Sequence, residues 1–349
     1  LLLVCGSGVP VTAMSLNAAD LSELLELWAE LNLTELNVSR VEALRCSGSP
    51  ALLPALSVLY AAIFLLGVAA NALVLWAERR RCETRLYVVN LAAADLVVVA
   101  TLPLWVTSLL RGGRWPFGFA VCKLAHLLFG VSLFASIFFL ACIAADRLLS
   151  LRAAAGRGRK LQRRLVCLLV WSAALAASAP DTFFLQLVKS TQHDGAVCRP
   201  VYPSDSPRRW TAGVQLSFFV LGFALPFPVM AVCYLQVAAA PPGSDRQRRV
   251  ALGYVVAFAA CWLPFHAVLL LDSLALLGAL SFSCRLENFL DAALRLTQCC
   301  SLLHCCVNPV LYGSLGRRRA AAVFRYSAKS GLSGASDSSA QTVDSSVPT

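Results

Sequence analysis

Asp95 is an acid in the middle of a long apolar run that contains no basic residue. A carboxylate buried there needs a cation or several donors to hold its charge. The chemistry expected at Asp95 is therefore the retention of a small monovalent cation, or of a proton that comes and goes. Asn71, Asn90, Ser136 and Asn308 recur at one or two polar residues per apolar run, and Asn71, Asp95 and Ser136 read as one ion-binding polar network. Single polar residues of this kind also serve as glue between helices. Asp146 and Arg147 set an acid beside a base near the end of another run. Cys46, Cys122, Cys198 and Cys284 lie outside or at the edges of the runs, where disulfides can form; sequence alone does not choose their pairing. Cys142, Cys167, Cys299 and Cys300 read as packing residues. The chain has no Gly-rich phosphate loop, no metal-ligand cluster among its 4 histidines and no nucleophile constellation. It is expected not to be an enzyme, and to need no cofactor beyond a cation at Asp95.

The runs that must position these residues are too apolar for water. Of 349 residues, 58% are hydrophobic and 14% charged, against about 25% charged in soluble domains. A bilayer core takes about 20 mostly apolar residues per helix. Seven stretches qualify, at 52–76, 86–110, 121–149, 165–187, 211–237, 250–276 and 288–311. The fourth is interrupted by Pro180 and Asp181, and the seventh holds Asp291, Arg295, Gln298 and His304. The expected fold is an all-α membrane protein: a seven-transmembrane helix bundle over 51–312, preceded by an arm over 1–50. A short amphipathic eighth helix follows over 313–326, then a Ser/Thr-rich tail over 327–349 whose composition reads as disordered. Pro103, Pro180, Pro226, Pro264 and Pro309 fall inside runs. Each removes a backbone hydrogen bond, which suits helices that pivot.

A net charge of +11 would suggest nucleic acid in a soluble protein. In a membrane protein it marks cytoplasmic loops that face anionic lipid, and no nucleic-acid partner is expected. Arg79, Arg80, Arg81 and Arg85 follow the first run, Arg157, Arg159, Lys160, Arg163 and Arg164 separate the third from the fourth, and Arg317, Arg318 and Arg319 follow the seventh. The N-terminus is thus expected outside and the C-terminus inside. Glycosylation sequons at Asn32 and Asn37 agree. Residues 1–13 lack a basic n-region and make a poor signal peptide, so Met14 is the expected start.

Leu91-Ala92-Ala93-Ala94-Asp95, Asp146-Arg147-Leu148, Cys261-Trp262-Leu263-Pro264 and Asn308-Pro309-Val310-Leu311-Tyr312 fall in order along the runs. Together they resemble the landmarks of rhodopsin-like G-protein-coupled receptors. Thr101-Leu102-Pro103 and Trp115-Pro116-Phe117-Gly118 narrow the resemblance to chemokine receptors. Ala179-Pro180-Asp181-Thr182, Cys284-Arg285-Leu286-Glu287 and His304-Cys305-Cys306-Val307-Asn308-Pro309 are similar to the atypical, CXC-chemokine-scavenging branch. The resemblance spans about 46–332.

That resemblance implies disulfides Cys122–Cys198 and Cys46–Cys284. It implies a ligand mouth in which Asp181, Asp272 and Gln298 meet the N-terminus of a basic CXC chemokine of stromal-derived-factor type. Trp105 would pack beside them, with Trp262 as the pivot beneath. Carboxylates suit an α-ammonium group and basic side chains. The acidic arm, with Asp20, Glu23, Glu26, Glu30, Glu35 and Glu42, would raise the on-rate of such a ligand. Arg295, one turn before Gln298, is expected to face the same mouth and repel a cation. Arg147 is expected to pair with Asp146 in a closed state and to be received by Tyr234 and Tyr312 when the helices part. Leu148 stands where the family has tyrosine, and Pro241-Pro242-Gly243 should end the fifth helix early; both point to weak or absent G-protein activation. Ser336, Ser338, Ser339, Thr342, Ser345 and Ser346 would carry phosphates from a receptor kinase and form a charged ladder for arrestin. The expected setting is the plasma membrane with cycling through endosomes, and a homo- or hetero-dimer with other chemokine receptors stays open. Two other readings stay open: a conventional G-protein-coupled chemokine or peptide receptor, and a transporter, for which no inverted repeat is visible.

Overall fold

In hydrocarbon every backbone N–H and C=O must be paired within the protein, and a helix does this segment by segment. The structure, a computed structural model, describes residues 52–78, 85–152, 159–189, 195–239, 245–281 and 283–313. Helices α1 (Leu52–Glu78), α2 (Leu86–Leu110), α3 (Gly118–Arg152) and α4 (Arg159–Phe183) supply the first four spans. Strands β1 (Leu185–Lys189) and β2 (Ala196–Pro200) follow. The fifth span is α5 (Pro207–Phe219), a π-turn over Val220–Ala224 and α6 (Pro226–Ala239), and the sixth is α7 (Asp245–Leu276). The seventh is α8 (Cys284–Leu302) continued by helical residues 304–313. Among the described residues, 6 spans are long and apolar enough to cross a membrane. Arg285, Glu287, Asp291 and Arg295 keep α8 below that mark.

The helices close into a ring. α1 packs on α2, α2 on α3, α3 on α4 and α6, α7 on α5, α6 and α8, and α8 returns to α1. Val98, Leu102, Phe134, Ile137, Phe139, Tyr234 and Trp262 fill the centre. Leu65, Leu66, Leu73 and Trp76 stay exposed on α1, as side chains that face lipid should. Gly67 sets the approach of α1 to α2: a Cβ there would lie 2.7 Å from Val99 Cγ1.

Three local features depart from simple continuous helices. The fourth apolar run does not reach 187, because helix gives way to strand after Phe183. Leu185-Gln186-Leu187 alternates as a strand does, and β1 pairs antiparallel with β2 in a register that sets Leu187 opposite Cys198. In the fifth span Pro226 has no N–H to give, and the turn before it widens so that Leu225 N–H reaches Val220 O at 2.9 Å. In the seventh, the chain turns once at Leu303. Pro309 has no N–H for the Cys305 carbonyl, and Asn71 Nδ2 donates to that oxygen at 2.8 Å instead.

The arm with Cys46, Asn32 and Asn37, the expected helix end at Pro241-Pro242-Gly243, the expected amphipathic helix beyond residue 313 and the tail sites from Ser336 to Ser346 lie outside the described residues.

Gly67→Ala should overpack the α1–α2 contact and destabilise the receptor by about 1–3 kcal/mol. Thermal unfolding of purified protein will read this, and Val99→Ala should restore part of the loss by making room for the new methyl. An unshifted midpoint in Gly67→Ala contradicts the close approach.

Candidate functional site

The centre of the bundle is a chain of polar contacts. Asp95 is 0% exposed. Its Oδ1 accepts from Ser136 Oγ at 2.6 Å and its Oδ2 from Asn308 Nδ2 at 2.9 Å. No hydrogen bond joins Asn71 to Asp95 among the described residues; its amide donates to Gly67 O at 2.9 Å and to Cys305 O at 2.8 Å. His304 Nε2 lies 3.5 Å from Asp95 Oδ1, and its Nδ1 lies 2.6 Å from the Ser301 carbonyl. Four spans therefore meet at one carboxylate or one step from it. Trp262 covers this network, its ring centroid 4.9 Å from that of His304. The Trp262 indole N–H is buried with no partner among the described residues, as befits a residue expected to pivot.

The end of the bundle that carries the hairpin is braced by the Cys122–Cys198 disulfide, whose Cα atoms are 5.8 Å apart. Trp115 N–H donates to Ala196 O at 2.7 Å and ties the preceding loop to β2. Cys284 is also disulfide-bonded; the Cys46 expected as its partner lies outside the described residues. Here Asp272 accepts from Gln215 Nε2 at 2.6 Å, and Gln215 Oε1 accepts from Ser273 Oγ at 2.9 Å. Asp181 is half-buried near the end of α4. It has no hydrogen-bond or ion-pair partner among the described residues. Burial and then the Asp181 carboxylate push the Tyr202 phenol up. No hydrogen bond or ion pair joins Asp181, Asp272 and Gln298 among the described residues. Trp105 meets Trp115 at a tilt and His126 and Phe129 edge-on, at centroid distances of 5.5, 4.6 and 5.8 Å. Arg295, expected to face the mouth and repel a cation, is bound by Asp291 one turn away at 2.9 Å.

The opposite end departs from expectation. Arg147 does not pair with Asp146. Arg163 forks onto Asp146 instead, with bonds of 2.9–3.1 Å to both oxygens, because its fork reaches both oxygens at once. Arg147 lies over the Tyr254 and Tyr234 rings, at 4.9 and 5.9 Å, and its guanidinium donates to Tyr254 Oη at 3.5 Å. Those two rings stack at 5.1 Å. Tyr312, expected to receive Arg147 only when the helices part, here donates its hydroxyl to Glu78 Oε1 at 2.7 Å. Arg85 binds the same oxygen at 2.8 Å and lies 5.3 Å over the Tyr312 ring. Glu78, Arg85 and Tyr312 thus latch the first, second and seventh spans together.

Glu78, Arg163, Gln215, Tyr254 and His304 are the residues that sequence reasoning missed. His304, Cys305 and Asp95 each place one potential ligand atom within 4.8 Å of the others, a grouping that no local spacing in the sequence signals. The signal available was the polar residue itself in an apolar stretch; its partner lies far away in the chain and is not legible locally.

A ring of seven spans with a disulfide-braced hairpin at one end and a cation–aromatic cluster at the other defines a membrane receptor. Residues 68–312 match the family of 7 transmembrane receptors (rhodopsin family), and the chain belongs to it. Over 319 residues it is 44% identical to "Atypical chemokine receptor 3" of Canis lupus familiaris, covering 86% of this chain and 88% of that one. The Homo sapiens protein of that name is 43% identical with the same coverage. "C-X-C chemokine receptor type 3" of Bos taurus is 37% identical over 273 residues, covering 75% and 73%. The family is one of receptors, not enzymes.

Removing the latch should loosen the seventh span. With spin labels at the exposed positions Leu73 and Val310, Tyr312→Phe and Glu78→Gln are each expected to broaden the distance distribution. Unchanged distributions in both variants contradict the latch.

Proposed function

We propose that the chain is a plasma-membrane receptor that binds a basic CXC chemokine of stromal-derived-factor type, recruits arrestin and carries the ligand into endosomes with little or no G-protein activation. The observation that carries this reading is 44% identity, over 86% of the chain, to a protein named an atypical chemokine receptor. The N-terminal arm is extracellular, and the hairpin end is the ligand mouth. Asp272, held by Gln215, presents one oriented carboxylate, and Asp181, without a partner among the described residues, presents another. Gln298 and Trp105 complete the contact with the ligand's N-terminus. The pairing of Arg295 with Asp291 removes much of the repulsion that a free guanidinium would bring.

Output runs through Trp262, Asn308 and the stacked Tyr234–Tyr254 pair under Arg147. Leu148 in place of tyrosine and the Pro241-Pro242-Gly243 segment weaken the surface a G protein needs. A receptor kinase then phosphorylates the tail from Ser336 to Ser346, and arrestin binds it. Asp95 needs a charge-balancing cation or proton at its centre. The second reading is a conventional G-protein-coupled chemokine receptor, favoured by the free approach of Arg147 to Tyr234, since no carboxylate holds Arg147 among the described residues.

Labelled chemokine uptake and G-protein activation, measured in the same cells, separate the two. Uptake without nucleotide exchange is expected; exchange with receptor retained at the surface establishes the second reading. For the mouth, Asp272→Lys and Asp181→Lys should each weaken chemokine binding about tenfold or more, a loss of roughly 1.4 kcal/mol or greater, at normal surface expression. Equal affinity in both variants removes these residues from the ligand site.

A further inference from the structure

The fourth and fifth spans part at the hairpin end. α4 packs along α3 but only lightly on α5, and an open groove of about 530 Å³ lies between them. Pro180, Asp205, Arg209, Trp210, Gly213 and Val214 line it among others. Pockets that hold small molecules have this size. The groove is open where Gly213 carries no side chain: a Cβ there would meet nothing within 4 Å.

The rim of the groove carries charges of both signs that do not cancel. Asp205 and Arg209 stand one turn apart in the sequence and line the same groove, yet no ion pair joins them among the described residues. Asp205 Oδ2 accepts from Ser206 Oγ at 3.2 Å. The Arg209 guanidinium has no hydrogen-bond or ion-pair partner among the described residues. Ser206, at the N-cap of α5, makes no side-chain cap, so no side-chain oxygen of its own covers the positive end of that helix, where a phosphate is favoured. Below the rim the lining turns apolar. From Arg209 to Ser217 the helix descends roughly 12 Å, past Gly213 and Val214 and across from Pro180. Trp210 is 42% exposed and its ring lies 5.4 Å from that of Phe184. A tryptophan half in and half out of the protein suits the level of lipid headgroups.

We propose that this groove seats one zwitterionic phospholipid from the leaflet at the hairpin end. Arg209 and the start of α5 take the phosphate, Asp205 takes the headgroup ammonium, and an acyl chain runs down over Gly213 and Val214. Charge complementarity selects this occupant. A purely anionic headgroup meets the Asp205 carboxylate, and a sterol hydroxyl leaves both rim charges unanswered. The lipid fills the gap between the fourth and fifth spans and supplies the packing that the two helices do not give each other. This site stands whichever ligand the mouth binds.

The test uses full-length receptor in phosphatidylglycerol bilayers that hold a trace of phosphatidylcholine with a photoreactive group on one acyl chain. Irradiation should label residues 213–217 and Pro180 about tenfold or more above Leu65 and Leu66, which are exposed on α1, and unlabelled phosphatidylcholine should compete the label away. Arg209→Gln and Asp205→Asn should each cut the labelling about tenfold. Gly213→Phe, whose ring would occupy the groove, should abolish it. Equal labelling of the groove and of α1 in wild-type receptor overturns the proposal, whether or not the variants fold. So does labelling that survives both rim substitutions, or a disulfide between two copies of a Gly213→Cys receptor, which would seat a second copy in the groove instead.

Discussion

A carboxyl group in the middle of a bilayer has no water to turn to, and the protein must answer it with side chains from distant parts of the sequence. Asp95 receives one donor from the third span and one from the seventh. Removing a partner from a buried charged group leaves that group orphaned, at a cost of several kcal/mol, so these spans have little freedom to drift apart. Asn71 extends the constraint to the first span through the carbonyl that Pro309 leaves unpaired. The proline kink and the asparagine are thus one device: the kink exposes an oxygen, and the amide closes the ring of helices by taking it.

Both ends of the molecule depend on that closure. At the hairpin end, the disulfide and the Trp115–Ala196 bond hold the strands against the bundle while the Gln215–Asp272–Ser273 contacts join the fifth and sixth spans. Lys123 reaches from α3 to the last carbonyls of α4, Thr182 O and Phe183 O, at 3.3 and 3.0 Å, where a cation is favoured by the helix dipole. At the other end, aromatic faces rather than a carboxylate hold Arg147. Asp146 is occupied by Arg163. Arg147 therefore rests on tyrosines of the fifth and sixth spans.

Much of this was legible in the chain. Apolar runs give the spans because the bilayer fixes their length, and the importance of Asp95 follows from its isolation. Ser136 and Asn308 were legible as polar residues, though Asn71 proved to act on a carbonyl and not on the acid. Pairings were not legible. Nothing local distinguishes Arg163 from its neighbours, or Glu78 from any charge at a helix end, because their roles arise from which helices meet. The hairpin escaped notice for a different reason: Leu185–Lys189 is apolar enough to look like more helix, and only its alternation signals a strand. The π-turn before Pro226 and the free Cys305 carbonyl before Pro309 follow from missing N–H groups, but the sequence does not say which partner takes the freed carbonyl.

The most direct test of the central constraint is the thermal midpoint of purified receptor carrying Asp95→Ala, Asn308→Ala and both together. If Asp95 holds the spans as described, each single substitution lowers the midpoint, and the double variant loses well under the sum of the two because its second change removes a group already orphaned. Losses that add, or midpoints that do not move, contradict it.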